Sequence, residues 1–193
     1  MEQTNRLSNV TKEYAAAFYC ILDEMIQGMT SAKLTDSISY NFIAQMIPHH
    51  RAAIEMCRNL LKYTTCLPLQ DIALGIIEEQ TRSIENMQQI SSNCRHCQNC
   101  RQEVACYQAR VDDILNTMFT SMQNACTVND INVTFMREMI PHHEGAVRMC
   151  KNALKYNLCP GLIPILNAII SSQERGICQM KELLCSLGYP YAG

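Results

Sequence analysis

FIAQMIPHHRAAIEMCRNLLKYTTC, residues 42–66, returns as FMREMIPHHEGAVRMCKNALKYNLC, residues 135–159. The offset of 93 residues holds without a gap on both sides. Upstream it pairs Tyr14 with Tyr107, Ile21 with Ile114, Leu22 with Leu115, Met25 with Met118 and Met29 with Met122. Downstream it pairs Ile76 with Ile169, Ile77 with Ile170, Gln80 with Gln173, Ile84 with Ile177 and Met87 with Met180. A fixed period of this kind marks a duplicated unit. The reading is two repeats, 8–93 and 101–186, joined by a Cys-rich connector at 94–100.

Each repeat reads as three helices, which makes the fold all-α. Phe18, Ile21, Leu22, Met25, Ile26 and Met29 follow helical spacing. So do Phe42, Met46, His49 or His50, Ala53, Met56 or Cys57, and Leu60, and then Ile72, Ile76, Ile77, Gln80, Ile84 and Met87. Pro68 marks the start of the third helix, and LCPGLIP does so in the second repeat. Thr35 or Asp36 is the expected cap of the second helix. Pro48 and Pro141 fall inside that helix and remove one backbone hydrogen bond each, which predicts a kink beside the histidines.

The 193 residues carry a net charge of −2 and 48% hydrophobic residues, enough to build a core. Aromatics are only 6% and Trp is absent, while Cys and Met number 12 each, so sulfur stands where rings usually fill an interior. The balanced charge argues against nucleic acid as a partner. No apolar run approaches the roughly 18–20 residues of a membrane helix, so no membrane partner is expected. The start, MEQTNRLSNVTKEY, has no basic stretch followed by an apolar one, which points to a cytoplasmic protein with reduced thiols.

Comparing the repeats with each other separates two classes of metal site. Four of the five histidines recur, as His49/His142 and His50/His143. Met46/Met139, Met56/Met149, Met87/Met180, Cys57/Cys150 and Cys66/Cys159 recur as well. No Asp or Glu does, and neither repeat contains Glu-x-x-His. A carboxylate-bridged di-iron bundle needs both features. Imidazole, thioether and thiolate instead suit Cu(I), and with enough His and Cys, Zn. Met46, His49, Ala53 and Met56 lie along one helix face, with His50 and Cys57 beside it. Met87 on the third helix, with Met25 or Met29 on the first, can complete a cluster. The second repeat offers Met139, His142, His143, Met149, Cys150 and Met180 in the same places. The alternatives are core roles: Met as filler, Cys57 and Cys150 as small hydrophobes, Cys66 and Cys159 as structural residues at a helix end, Gln80 and Gln173 as ties between helices.

The connector carries Cys94-x-x-Cys97-x-x-Cys100, with His96 between and Cys106 beyond. On a continuous helix these thiols drift slowly around one side and can share a metal. The run is part of an iron–sulfur ligand pattern, but the fourth Cys has the wrong spacing and no Pro follows, which disfavours a cluster. A secondary thiolate site for Cu(I) or Zn, or redox-linked surface thiols, are the readings left.

At MIPHHRAAIEMC and MIPHHEGAVRMC the chain resembles the domain-of-unknown-function 305 family, whose core is His-His-x-x-Ala-x-x-Met. The resemblance implies a ferritin-like helical bundle of two tandem three-helix repeats related by a pseudo-twofold, and some members of the family bind copper or silver in the cell envelope. It implies Met46, His49, His50, Met56 and Met87, with Met139, His142, His143, Met149 and Met180, as ligands. The family's Glu before Ile on the third helix is here Ser83 and Gly176. The expected function is non-catalytic binding of soft metal, Cu(I) first, for storage or detoxification, weakening as pH falls because ligands must be deprotonated. The alternative is a structural or coat-like assembly protein that self-associates, with cross-linkable cysteines and no metal. A redox enzyme ranks last, since no general acid or base recurs.

Overall fold

The computed structural model describes residues 7–191. It contains six α-helices, and no strand occurs among the described residues. They are α1 (Asn9–Thr30), α2 (Ile38–Leu60), α3 (Leu67–Cys94), α4 (Arg101–Gln123), α5 (Ile131–Ala153) and α6 (Leu162–Ser186). α2 packs between α1 and α3, and α5 packs between α4 and α6. The halves then meet through α2 against α5 and α3 against α6.

Local chemistry sets the helix starts. Ser8 caps α1, accepting the Thr11 N–H at 3.1 Å. Ser37, rather than Thr35 or Asp36, caps α2 by accepting the Tyr40 N–H at 3.2 Å. Thr35 lies one step outside, its hydroxyl accepting the Ser37 N–H at 3.2 Å. At the matching position of the second repeat Asp130 caps α5, accepting from Asn132 and Val133. Both caps satisfy N–H groups that the first helical turn leaves unpaired. α2 and α5 run on through Pro48 and Pro141. The Pro48 ring lies against Gly28 on α1, where a Cβ would stand 2.8 Å from the proline Cβ.

One apolar core runs through both halves and includes Phe18, Leu22, Phe42, Leu60, Phe135, Ile140, Leu162 and Leu184. Two matched asparagines brace it. Asn59 Nδ2 donates to the Tyr14 carbonyl at 3.1 Å, and Asn152 Nδ2 to the Tyr107 carbonyl at 3.2 Å. Each tie holds the first helix of its half against the second. No helix among the described residues is long and apolar enough to cross a membrane.

The halves differ at a close packing point. Gly145 on α5 takes the place of Ala52 on α2, and the Met118 side chain fills the space a Cβ would occupy, with its Cγ 2.8 Å from that position. Overpacking a tight site costs about 1–3 kcal/mol. Gly145→Val should therefore lower unfolding stability in urea by that order. Ala52→Val, at the matching site, should cost less.

Candidate metal site

The two doubled histidines meet at the centre of the molecule. The rings of His49 and His142 stack, centroids 3.6 Å apart and planes inclined by 26°. His49 Nε2 lies 3.3 Å from the His142 carbonyl, and His142 Nε2 lies 3.2 Å from the His49 carbonyl. A carbonyl only accepts, so each Nε2 carries the proton and each Nδ1 presents a lone pair. His50 and His143 flank the stack, their ring centroids 5.9 Å and 5.8 Å from the inner rings. All four imidazoles are buried, and all four Nδ1 atoms lack a hydrogen-bond partner.

Burial keeps the four rings neutral. Desolvation, then the mutual repulsion of charged neighbours, holds His49 and His143 well below the ordinary imidazole range. The same causes bring His50 down to about 3. Desolvation lowers His142 to about 4, partly offset by its bond to the His49 carbonyl. A neutral imidazole is the form that binds metal.

The outer histidines face the third helix of their own half. Ser83 Oγ lies 3.1 Å from His50 Nε2. At the matching position, a Cβ on Gly176 would lie 3.0 Å from His143 Cδ2 and 3.1 Å from its Nε2. The positions where the resembling family carries Glu thus do point at the histidines, but here one offers a hydroxyl and the other only a glycine against which the His143 ring packs. Met87 and Met180 follow these positions by one helical turn on the same face. Met46 precedes His50 by one turn, and Met139 precedes His143 likewise. These four methionines are fully buried, as are Met56 and Met149.

His50 lines a cleft of ≈ 200 Å³ between α3 and α6, together with Gln80, Ser83 and Gln173. Glu79 and Arg175, paired at 2.6 Å, border it. The same pair borders a second cleft of ≈ 590 Å³ that includes Gly176. Of the two clefts, only the smaller reaches a histidine, His50. Gln80 and Gln173 are buried, and both side-chain oxygens lack partners.

Cys57 and Cys150 stand elsewhere. Cys57 is an electrostatic neighbour of Tyr14, and Cys150 of Tyr107. Desolvation pushes both thiols far above the usual range, so they are neutral in the dry core. The connector reading requires correction as well. The helix ends at Cys94, so the three thiols do not share one helix face. Cys100 instead caps α4, with Glu103 completing a capping box. Cys100 and Cys106 are exposed, as is His96. Cys94 and Cys97 are joined by Cys159 from the other half. Burial and Cys159 raise both of them. At Cys159 burial acts upward, but hydrogen bonds from the Cys94 thiol, the Gly161 N–H, the Cys97 thiol and the Leu162 N–H outweigh it and lower the thiol.

Sequence comparison passed over one buried acid. Glu138 matches Gln45, and its Oε2 accepts the Tyr14 hydroxyl at 2.7 Å across the two halves. Desolvation raises its carboxyl to about 8, against the lowering effect of the Tyr14 bond. The matching Tyr107 hydroxyl and Gln45 Oε1 are buried without partners. A lone Glu on the buried face of α5 was the available signal.

The donor set is soft and borderline: lone pairs on imidazole with thioethers around them. Among the described residues, no three His, Cys, Asp or Glu side chains already converge as a metal cage. The fold and site define an all-helical protein with a buried imidazole layer between two similar halves. The chain belongs to the family described as a domain of unknown function, DUF305, whose model matches residues 8–91 and 39–184. It is similar to a structure described as CopM in the Ag-bound form, prepared by soaking, with 25% identity and a TM-score of 0.58 over 79% of this chain and 98% of that one. A DUF305 fragment from Deinococcus radiodurans shares the fold at 18% identity, with a TM-score of 0.55 over 80% of this chain and 98% of that one. No curated protein matches.

Two opposite pH dependences follow. Free histidines take up protons near pH 6.5, whereas in the fold His50 does so only at about 3 and His142 at about 4, and burial and neighbouring charge hold His49 and His143 well below the ordinary range. The unfolded chain then binds more protons, so stability is full above about pH 6.5 and falls as acid is added, by up to ~1.4 kcal/mol per pH unit for each histidine. Glu138 acts the other way: the folded carboxyl holds its proton up to about 8, against 4.5 in the free residue. Its contribution is lost as pH rises through that window. Glu138→Gln should therefore stabilise the protein at pH 7.5 by more than ~1 kcal/mol and leave it unchanged at pH 4. Urea unfolding at the two pH values checks both signs.

Proposed function

We propose that this protein is a non-catalytic binder of a soft monovalent metal ion, Cu(I) first, and that it serves storage or buffering. The observation that carries the reading is the set of four buried Nδ1 atoms without partners. Leaving such atoms unpaired in a dry interior costs about 1–3 kcal/mol each, and a metal ion compensates that cost directly. The neutral state of the rings and the buried Met46, Met56, Met87, Met139, Met149 and Met180 support it, since thioether and imidazole suit Cu(I). The likeness to silver-bound CopM supports it too, because Ag(I) and Cu(I) share soft ligand preferences.

In this reading each repeat, 8–93 and 101–186, supplies half of the ligand layer, and the 94–100 connector links them. Ions reach His50 by the cleft beside Glu79 and Arg175. Cys57 and Cys150 stay outside the ligand set as neutral core thiols beside Tyr14 and Tyr107. Zn fits less well, because the layer lacks thiolate and carboxylate.

Anaerobic titration with Cu(I) against a competing chelator tests the reading. His49→Ala/His142→Ala should weaken binding at least tenfold, about 1.4 kcal/mol. Met46→Leu/Met139→Leu keeps core volume and should weaken binding in the same direction. Unchanged stoichiometry and affinity in both variants would remove the layer from the function.

A further inference from the structure

The fold gathers a second sulfur cluster at one end of the molecule, away from the histidine layer. The first turn of α2 anchors two of its members. Ser37 Oγ donates to the Cys94 carbonyl at 2.6 Å, and the Cys159 N–H donates to Ser39 Oγ at 2.9 Å. Asn99 draws in the connector. Its N–H donates to the Asp36 carbonyl at 2.8 Å, its Oδ1 accepts the Ile38 N–H at 3.1 Å, and its Nδ2 donates to the Asn157 carbonyl at 2.9 Å. Asn157 lies two residues before Cys159.

The result is that Cys94 and Cys159 are brought to one turn of α2, with Cys97, whose thiol donates to the Asn93 carbonyl at 3.8 Å, as an electrostatic neighbour of Cys159. The backbone N–H groups of Gly161 and Leu162, at the start of α6, face the Cys159 sulfur. Leu158 and Leu162 belong to the apolar core around the cluster. Cys94 is buried and Cys97 is half-buried, so the cluster has a dry interior and an edge open to solvent. It exists in one half only: 93 residues beyond Cys94 and Cys97 stand Leu187 and Pro190.

We propose that Cys94 and Cys159, with Cys97 as an additional donor, form a thiolate site for a soft monovalent ion, Cu(I) or Ag(I), independent of the histidine layer. The three sulfurs do not stand in closed three-ligand geometry. A d¹⁰ ion needs only two thiolates, and rotation of the Cys97 side chain supplies the third. Binding breaks two S–H bonds, releases two protons to solvent and forms two metal–sulfur bonds, with no change of oxidation state. The resulting single negative charge lies against the N-terminal end of α6, where the helix dipole favours an anion. Entry is at Cys97, and transfer proceeds inward to Cys94 and Cys159.

Alkylation mapping tests the assignment on the reduced full-length chain. Ag(I) is added stepwise under argon, each step is pulsed with N-ethylmaleimide, and the labelled peptides are read by mass spectrometry. Cys97 and Cys159 should become at least tenfold slower to label before Cys100 and Cys106 change. Equal protection of all four, or protection of Cys100 and Cys106 first, would overturn the site. In Cys159→Ser, Cys97 should regain its metal-free labelling rate at the same silver level, and continued protection would also overturn it. If that variant loses its helical signal, the unmodified chain decides alone. The readout is at the cysteines, so failure of the histidine layer to bind metal leaves this result interpretable.

Discussion

Two neutral imidazoles stacked at the crossing of α2 and α5 are the constraint around which the protein is arranged. Each ring of the His49/His142 pair donates to the backbone of the other, so the inner tautomers are set by geometry rather than by solvent. Charging one ring would bury an unpaired cation, and charging both would place like charges 3.6 Å apart in a dry core. The neutral state is therefore imposed, and with it an unprotonated Nδ1 on each inner ring. The elements that pack around the pair inherit its demands: apolar neighbours, small residues near the rings, and an opposing half that presents the same surface.

The duplicated halves share this centre and diverge around it. Tyr14 finds Glu138, whereas Tyr107 faces a counterpart, Gln45, with which it forms no bond. Ser83 holds His50, whereas Gly176 offers no side chain and the His143 ring packs directly against it. Met118 packs where Gly145 has no side chain, whereas Met25 faces Ala52. Each difference changes local polarity or volume without touching the stacked pair.

Sulfur does two kinds of work in this molecule. Buried thioethers fill the core and supply polarizable donors beside the imidazoles without adding charge, which suits an interior with no counter-ions. Thiols divide by place: Cys57 and Cys150 are neutral core residues, Cys100 caps a helix, and Cys94, Cys97 and Cys159 are electrostatic neighbours at the start of α6. The single buried carboxylate among the described residues, Glu138, is held toward its protonated form by burial and is engaged by a tyrosine.

Helical spacing was enough to read the helical class and self-similarity the 93-residue repeat, but spacing left open whether His49 or His50 faces inward, and the structure buries both. The methionine positions were legible from the same spacing. The partners across the two halves were not. Nothing local tells that His49 stacks on His142, that Glu138 reaches Tyr14, or that Cys159 replaces Cys100 beside Cys94 and Cys97. Those pairings join residues about 60 to 125 positions apart, where chain spacing carries no geometric information and packing of whole helices decides which atoms meet. The sequence by itself determined the helices and their repeat, and only the tertiary structure decided which buried groups face one another.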